Sequence, residues 1–251
     1  MPVGVVEICR FGATEALRNA AEHSAADEVT VRLRRTAASV EISVADRGSG
    51  LFRHAGAEDP RHAAFDLVKG GRVGSDGRAQ RGFSCTARAF DSVRVWSGHH
   101  HLRRDERGSR EEWRFEVLAG RVPGTTVALR IHPRSRRTLA DAIARTTVEC
   151  DGVVLPRAEL PVHLALHPGE QPTSRASARR LLERLESFGQ VVLDFAGVEA
   201  VGPGFADEIV RVFPREHPAV EILRRGTTPA LERMLGPHPS GPHPPARQPS
   251  G

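Results

Sequence analysis

A helical face that carries one carboxylate and one carboxamide constrains this chain more than any other feature. Residues 15–24 read Glu-Ala-Leu-Arg-Asn-Ala-Ala-Glu-His-Ser, within an alanine-rich pattern that predicts a helix over residues 13–23. Glu15 and Asn19 are four residues apart, so a helix stacks them on one face. Groups so placed could hold a hydrated magnesium ion and orient a water molecule. By spacing alone, the pair could also belong to a solvated face.

A second polar motif follows at the end of an apolar strand. Residues 29–34 and 40–44 alternate between apolar and polar side chains, which predicts an antiparallel hairpin with one half-buried face. Asp46 comes directly after these strands and begins the sequence Asp-Arg-Gly-Ser-Gly. Gly48 and Gly50 in this turn would let the backbone approach a flat ligand closely.

Taken in this order, the two motifs resemble the N box and the first glycine box of the GHKL ATPases. That family includes gyrase, heat-shock chaperone, histidine-kinase and mismatch-repair ATPases. The resemblance implies that Glu15 is the general base that polarises the attacking water and that Asn19 ligates the metal. It also implies that Asp46 accepts a hydrogen bond from the adenine amino group. The expected ligands are therefore ATP and Mg²⁺.

The glycine-rich, basic residues 65–82 correspond in this resemblance to the lid that covers the nucleotide phosphates. Four cations in the segment could neutralise phosphate charge, namely Lys69, Arg72, Arg78 and Arg81. The second glycine box of the family usually reads Gly-x-Gly, but this chain has Gly82-Phe-Ser84. Ser84 adds a Cβ where bare backbone amides would face phosphate, although its hydroxyl could donate to one. Thr125 matches a family threonine that approaches the adenine.

The remaining strands of this half have the same alternating pattern. Residues 92–96 predict one strand. Residues 112–118 and 125–131 predict an antiparallel pair, which a turn containing glycine and proline would join.

The second half of the chain alternates strands with helices, which indicates a small α/β unit with a mainly parallel sheet. The predicted strands are residues 161–166, 191–195 and 220–223, and the predicted helices are residues 174–188, 205–213 and 229–235. Residues 160–236 resemble the STAS-like domain of unknown function that is found beside GHKL domains in bacteria. The resemblance implies an interaction with a partner protein.

Two polar features of this half bear on regulation. In anti-anti-sigma factors a STAS module carries a phosphorylated serine at a strand-to-helix turn. The matching residues 201–204 here, Val-Gly-Pro-Gly, have no hydroxyl, so a phosphorylation switch at that position is not expected. Asp194, Asp207 and Glu208 could form an acidic site. We favour a structural role for them, because Asp207 near a helix N-terminus complements the helix dipole.

These patterns predict an α+β protein with two domains. Residues 1–132 would form a GHKL-type α/β sandwich, with helices on one face of an antiparallel or mixed sheet. Residues 160–236 would form the smaller α/β STAS-like domain. Residues 133–159, with a helix over 139–147, are expected to be a linker, and residues 237–251 a disordered tail.

Composition narrows the function classes. The net charge is +5, but all basic residues except Lys69 are arginines, a bias typical of a GC-rich bacterial genome. No nucleic-acid-binding motif is present, so DNA or RNA is not an expected partner. The three cysteines are far apart and form no disulfide framework or metal-ligand pair. No apolar run is long enough to cross a bilayer, and we expect a cytoplasmic protein without a membrane partner.

The sequence therefore predicts a bacterial regulatory protein that binds ATP and Mg²⁺ and acts on an unidentified partner through its STAS-like domain. Two alternatives stay open. One is a degenerate scaffold that does not turn over ATP, which Ser84 favours. The other is an anti-sigma-type protein serine kinase that phosphorylates a separate STAS partner.

Overall fold

The computed structural model describes residues 1–54, 59–70, 72–73, 79–80, 82–107, 110–150, 152–167 and 169–236. The chain divides into two compact units, Met1–Thr146 and Thr147–Gly251, called unit 1 and unit 2 below. The tail predicted for residues 237–251 lies outside the described residues.

Unit 1 consists of an antiparallel sheet and the helices that pack on it. Its elements are α1 (Val3–His23), β1 (Val29–Arg35), β2 (Val40–Asp46), α2 (Leu51–His54), α3 (Pro60–Lys69), β3 (Arg72–Val73), β4 (Ala79–Gln80), α4 (Gly82–Ala89), β5 (Ser92–Arg107), β6 (Arg110–Ile131) and α5 (Leu139–Ala144). The main sheet has the order β1-β2-β6-β5, and β3 pairs with β4 separately.

The first helix is longer than the sequence predicted. It begins at Val3 rather than near residue 13, because the apolar run at residues 3–8 continues the same helical face. Val5, Ile8 and Ala16 are among the buried residues of α1, which packs on β2, β6 and α4. On β2, every second side chain from Val40 to Asp46 is buried, as an alternating strand under a helix requires.

The prediction of two strands over residues 112–118 and 125–131 was wrong. Both segments belong to β6, which pairs with β5 along its length. The intervening glycines and proline do not form a turn. They lie where the pairing register shifts beside Gly98, so the extra residues of β6 are taken up as bulges.

Unit 2 is built on a mostly parallel sheet. Its elements are β7 (Thr147–Cys150), β8 (Val153–Pro161), a 3₁₀ helix (Val162–Ala165), α6 (Arg175–Leu182), β9 (Gln190–Asp194), α7 (Pro203–Asp207), a π-helix (Glu208–Val212), α8 (Phe213–Glu216), β10 (Glu221–Arg225) and α9 (Pro229–Leu235). The sheet has the order β10-β9-β8-β7, in which β8, β9 and β10 are parallel and β7 is antiparallel to β8.

Two predicted elements of unit 2 differ from those observed. The strand predicted for residues 161–166 ends at Pro161, and the next four residues form the 3₁₀ helix. The helix predicted for residues 174–188 ends at Leu182, and Arg184 has a φ of +63°, which no helix continues. Leu185 and Phe188 are nevertheless buried, so the apolar pattern marked core positions rather than helix.

A π turn interrupts the helical segment that runs from α7 to α8. The Phe213 amide donates to the Glu208 carbonyl, five residues earlier. Pro214 follows, and in a regular α-helix its ring would clash with the carbonyl of Val210. The wider π turn gives the chain the room that this proline needs.

Candidate functional site

Glu15 lies where helices α1 and α4 meet. Its side chain is on the buried side of α1, and the residue is 8% exposed. The Oε2 atom is so close to Gly82, the first residue of α4, that a Cβ at that position would overlap it. Arg18, one turn along α1, forms an ion pair with the same carboxylate. A negative charge at the start of α4 complements the dipole of that helix.

Asn19 lies one turn after Glu15 on α1 and is half-buried. Across the described residues, its carboxamide has no hydrogen-bond partner. The side chain therefore keeps both its oxygen and its nitrogen for a ligand.

Asp46 is buried at the end of β2 and holds the turn that follows it. Its Oδ1 atom accepts hydrogen bonds from the amides of Gly48 (2.9 Å) and Thr125 (3.2 Å). The other oxygen, Oδ2, makes no hydrogen bond within the described part of the chain. One carboxylate oxygen thus has a structural role, and the second can accept a hydrogen bond from a ligand.

The turn after Asp46 packs on the C-terminal end of α1. The Ser24 carbonyl accepts hydrogen bonds from the Ser49 amide (2.8 Å) and the Ser49 hydroxyl (3.3 Å). A Cβ on Gly48 would overlap this carbonyl, so the glycine is required by contact with α1 whether or not a ligand binds. The helix that carries Glu15 and the turn that follows Asp46 are therefore held together.

Thr125 and Ser97 support the other side of this turn. Their hydroxyls both accept from the Leu51 amide at 2.9 Å, directly after Gly50, which has a φ of +89°. The Ser97 hydroxyl also donates to the Gly124 carbonyl at 2.9 Å. Ser97 was not among the predicted site residues, although this small polar residue comes directly after the strand predicted for residues 92–96 and precedes a glycine.

The start of α4 is less open than a Gly-x-Gly sequence would make it. Ser84 is buried, and a Cβ built on Gly70 would come 2.8 Å from the Ser84 Cβ. The serine side chain thus lies against the end of α3. The Ser84 carbonyl accepts a hydrogen bond from Arg88 Nη1 (3.1 Å).

Lys69, predicted to contact phosphate, is buried in the last turn of α3. Its Nζ atom lies 3.3 Å from Asp66 Oδ1 and 4.8 Å from the centre of the Phe65 ring. These contacts hold the lysine side chain at the end of α3. Seven of the eighteen residues of the predicted lid lie outside the described residues, among them Arg78 and Arg81, and the Arg72 side chain is also not described.

The acidic residues of unit 2 do not share one site. Asp194 pairs with Arg225 (2.9 Å), and Asp207 is bound by Arg175 (2.8 Å) and Arg211. Glu208 pairs with Arg179 at 2.9 Å. Each carboxylate pairs with at least one arginine, whereas the structural role expected of Asp207 was to complement a helix dipole. Within the described ranges, no cluster of three or more His, Cys, Asp or Glu side chains could hold a metal ion.

Unit 1 also contains a buried ionic network that joins α4 to α5. Glu111 accepts from Trp113 Nε1 (3.3 Å) and pairs with Arg104 (3.1 Å) and with Arg145, which directly follows α5. Burial alone would raise the pKa of Glu111, but the charges of Arg88, Arg104 and Arg145 lower it to about 2. Glu111 is therefore ionised at neutral pH, and its charge links Arg88 of α4 to Arg145 at the end of α5.

The comparisons with known families agree with this division. Residues 3–103 match the family model of the histidine kinase-like ATPase domain, and residues 177–228 match that of a STAS-like domain of unknown function. No curated protein matches the chain. Of the helices in the described residues, none has the length and apolar character needed to span a bilayer.

Proposed function

We propose that this chain, which carries a histidine kinase-like ATPase domain followed by a STAS-like domain, is a regulatory protein that binds ATP with Mg²⁺ in its first domain. The STAS-like domain would contact a partner protein according to nucleotide state. One observation carries the proposal. Glu15 belongs to α1, whose C-terminal end is hydrogen-bonded to the turn after Asp46, and its carboxylate lies against the first residue of α4.

The groups around this site fit ATP and Mg²⁺. Asp46 Oδ2 is an acceptor of the kind that an adenine amino group needs. Mg²⁺ prefers oxygen ligands and usually takes only one or two from the protein, because phosphates and waters supply the others. The Asn19 carboxamide, which has no hydrogen-bond partner among the described residues, would provide such an oxygen. When bound, Mg²⁺ would neutralise phosphate charge.

The residues of the chain would divide the remaining work. Asp46 selects the base by accepting from it, and Thr125 and Ser97 keep the Asp46 turn in place. The amides at the start of α4 would present the positive end of the helix dipole to a phosphate. Glu15 can orient a water and accept its proton once its carboxylate is released from Arg18.

A route from this site towards the second domain is present within unit 1. α4 begins at Gly82 beside Glu15, and its Arg88 acts on Glu111. Glu111 pairs in turn with Arg145, two residues before unit 2 begins at Thr147. A displacement of α4 by a bound phosphate would therefore change the ion pairs that Glu111 makes at the end of α5. This continuity supports a regulatory use of nucleotide binding.

Titration calorimetry on the full chain tests the proposal. ATP with Mg²⁺ should bind, and Asn19→Ala should remove most of the difference between titrations with and without Mg²⁺. Glu15→Gln should keep binding and lose any ATP hydrolysis. Glu7→Gln is the matched control, because Glu7 is an exposed carboxylate nearer the start of α1. No heat of binding with wild-type protein, or equal loss in Glu7→Gln, would refute the proposal.

A second candidate is nucleotide binding without turnover, which the position of Ser84 favours. The serine fills space against Gly70 near the start of α4, where a glycine would leave the amides bare. Ser84→Gly should then raise ATP hydrolysis at least tenfold above a wild-type rate near background. If wild-type protein hydrolyses ATP and Glu15→Gln abolishes that activity, this second candidate is excluded.

A further inference from the structure

The outer edge of β1 is an unpaired strand edge. β1 is the first strand of the sheet order β1-β2-β6-β5, so only its β2 side has a partner strand among the described residues. Six of its seven residues are exposed. A strand in this position presents a row of amides and carbonyls to which another strand can bind.

One face of β1 carries apolar side chains that no helix covers. Val31 and Leu33 are opposite Val44 and Ile42 of β2, so they share the face on which α1 packs. The two β2 residues are buried, whereas Val31 is 49% exposed and Leu33 is 72% exposed. Exposed apolar residues on an open edge favour binding of a further strand, and they distinguish β1 from an edge protected by charge alone.

The other face of β1 carries unpaired positive charge. Arg32 and Arg34 alternate with the apolar pair, and neither forms an ion pair with any described residue. Glu41 is opposite Arg34 but pairs with Arg130 instead, at 3.6 Å. On the same face a groove of about 740 Å³ lies beside the strand, and its lining includes Thr30, Arg32, Ser43 and Thr126. The groove lies over β1, β2 and β6, and it leaves space beside Arg32.

We propose that β1 is the docking site for an extended segment of a partner protein, which adds to the sheet as an antiparallel strand with alternating acidic and apolar side chains. Acidic side chains at every second position would face Arg32 and Arg34. The apolar residues between them would cover Val31 and Leu33. Backbone hydrogen bonds would supply affinity and the alternation would supply specificity.

The charges decide between this partner and a second copy of the chain. Antiparallel pairing of two β1 strands centred on Leu33 places Arg32 and Arg34 of one copy opposite arginines of the other, and like charges opposite each other destabilise a sheet. Asp27 and Glu28 line the groove before β1 begins, so the acidic positions of the partner must be opposite the second half of β1. At its other end the groove reaches Asp46, one of the groups proposed to hold the nucleotide, so the peptide is tested without nucleotide.

The probe is a fluorescein-labelled peptide, Ser-Val-Glu-Val-Glu-Val-Ser, titrated with the full chain in the absence of nucleotide. Two control peptides have lysine in place of glutamate, or methyl groups on alternate backbone nitrogens. Fluorescence anisotropy should show binding of the acidic peptide at least tenfold tighter than of either control. Hydrogen exchange should slow in residues 29–35.

Charge reversal provides the decisive variant. Arg32→Glu combined with Arg34→Glu should reverse the preference, so that the lysine peptide binds at least tenfold tighter than the acidic one. If that variant does not fold, the corresponding glutamine pair should lose the preference. Arg233→Glu is the control, an exposed arginine in unit 2, and should leave the preference unchanged.

Four results would overturn the proposal. They are equal binding of the acidic and lysine peptides, protection outside residues 29–35, concentration-dependent dimers that the arginine variants abolish, and tighter binding of a single-stranded oligothymidine at the same residues. Because no nucleotide is present, a failure here leaves the calorimetric test of ATP binding unaffected.

Discussion

The Ser24 carbonyl accepts a 2.8 Å hydrogen bond from the Ser49 amide and so joins the end of α1 to the turn that follows Asp46. The two residues are 25 positions apart, and the contact holds the two polar motifs of the sequence in one site. It is possible only because Gly48 has no side chain to displace the carbonyl.

Gly48→Ala should therefore destabilise unit 1 by about 1–3 kcal/mol, because the new Cβ forces the turn away from α1. Both tryptophans, Trp96 and Trp113, lie in unit 1, so urea unfolding followed by tryptophan fluorescence measures this unit. Gly120→Ala is the control, since a Cβ there meets no atom within 4 Å. Equal stability of the two variants would contradict the role assigned to Ser24.

Asp46→Asn should separate the two functions of this side chain. The amide oxygen can still accept from the Gly48 and Thr125 amides, so the fluorescence unfolding midpoint should change little. The new NH₂ group cannot accept from a ligand amine, and ATP affinity should fall about tenfold or more. Asp46→Ala should lose both affinity and stability. Unchanged ATP affinity in Asp46→Asn would remove this residue from the proposed site.

Glu111 should make the stability of unit 1 depend on pH. Its pKa is lowered from 4.5 to about 2 in the folded protein, so its stabilising contribution is present above about pH 4.5. That contribution is lost as the pH falls towards 2. Between pH 6 and pH 3 the loss should be about 2 kcal/mol.

Urea unfolding of wild type and Glu111→Gln at both pH values measures the contribution of Glu111 to the free energy of unfolding. The stability difference between wild type and variant should be about 2 kcal/mol smaller at pH 3 than at pH 6. Glu112→Gln is the neighbouring control, because Glu112 pairs with Arg114 at the surface and surface pairs contribute at most about 1 kcal/mol. A pH-independent difference for Glu111→Gln would contradict the low pKa.

Arg179→Ala should loosen the helical segment that contains the π turn. Glu208 is 4% exposed and its Oε2 already has no hydrogen-bond partner in the described residues, so Arg179 provides the ion pair that balances its charge. Removing that partner leaves the buried Glu208 charge without an ion pair and should destabilise the segment. Hydrogen exchange of residues 203–216 should become at least tenfold faster, while Arg233→Ala should have no effect. Adding Glu208→Gln should recover part of the protection.

Local patterns predicted much of this fold because their causes are local. The i,i+4 spacing placed Glu15 and Asn19 on α1, and period-two alternation placed β1 and β2. The resemblance of the two motifs also agrees with the matching ATPase family model. These features depend on neighbouring residues of one helix or one strand.

The features that sequence reasoning missed depend on contacts between distant parts of the chain. Ser97 contacts Leu51 across 46 positions. The length of β6 depends on its pairing with β5, which overrides the turn tendency of its glycines and proline. The early end of α6 has a similar origin, because Leu185 and Phe188 can be buried without a helix once unit 2 has formed.

The π turn fixes the rotational phase of the helical segment from α7 to α8. A π turn takes one residue more than an α turn, so Phe213 is buried on the same side of the segment as Glu208, five residues before it. With α geometry throughout, Phe213 would be rotated away from that side. Deleting or inserting a single residue within 208–212 would therefore change which of the later side chains reach the core of unit 2.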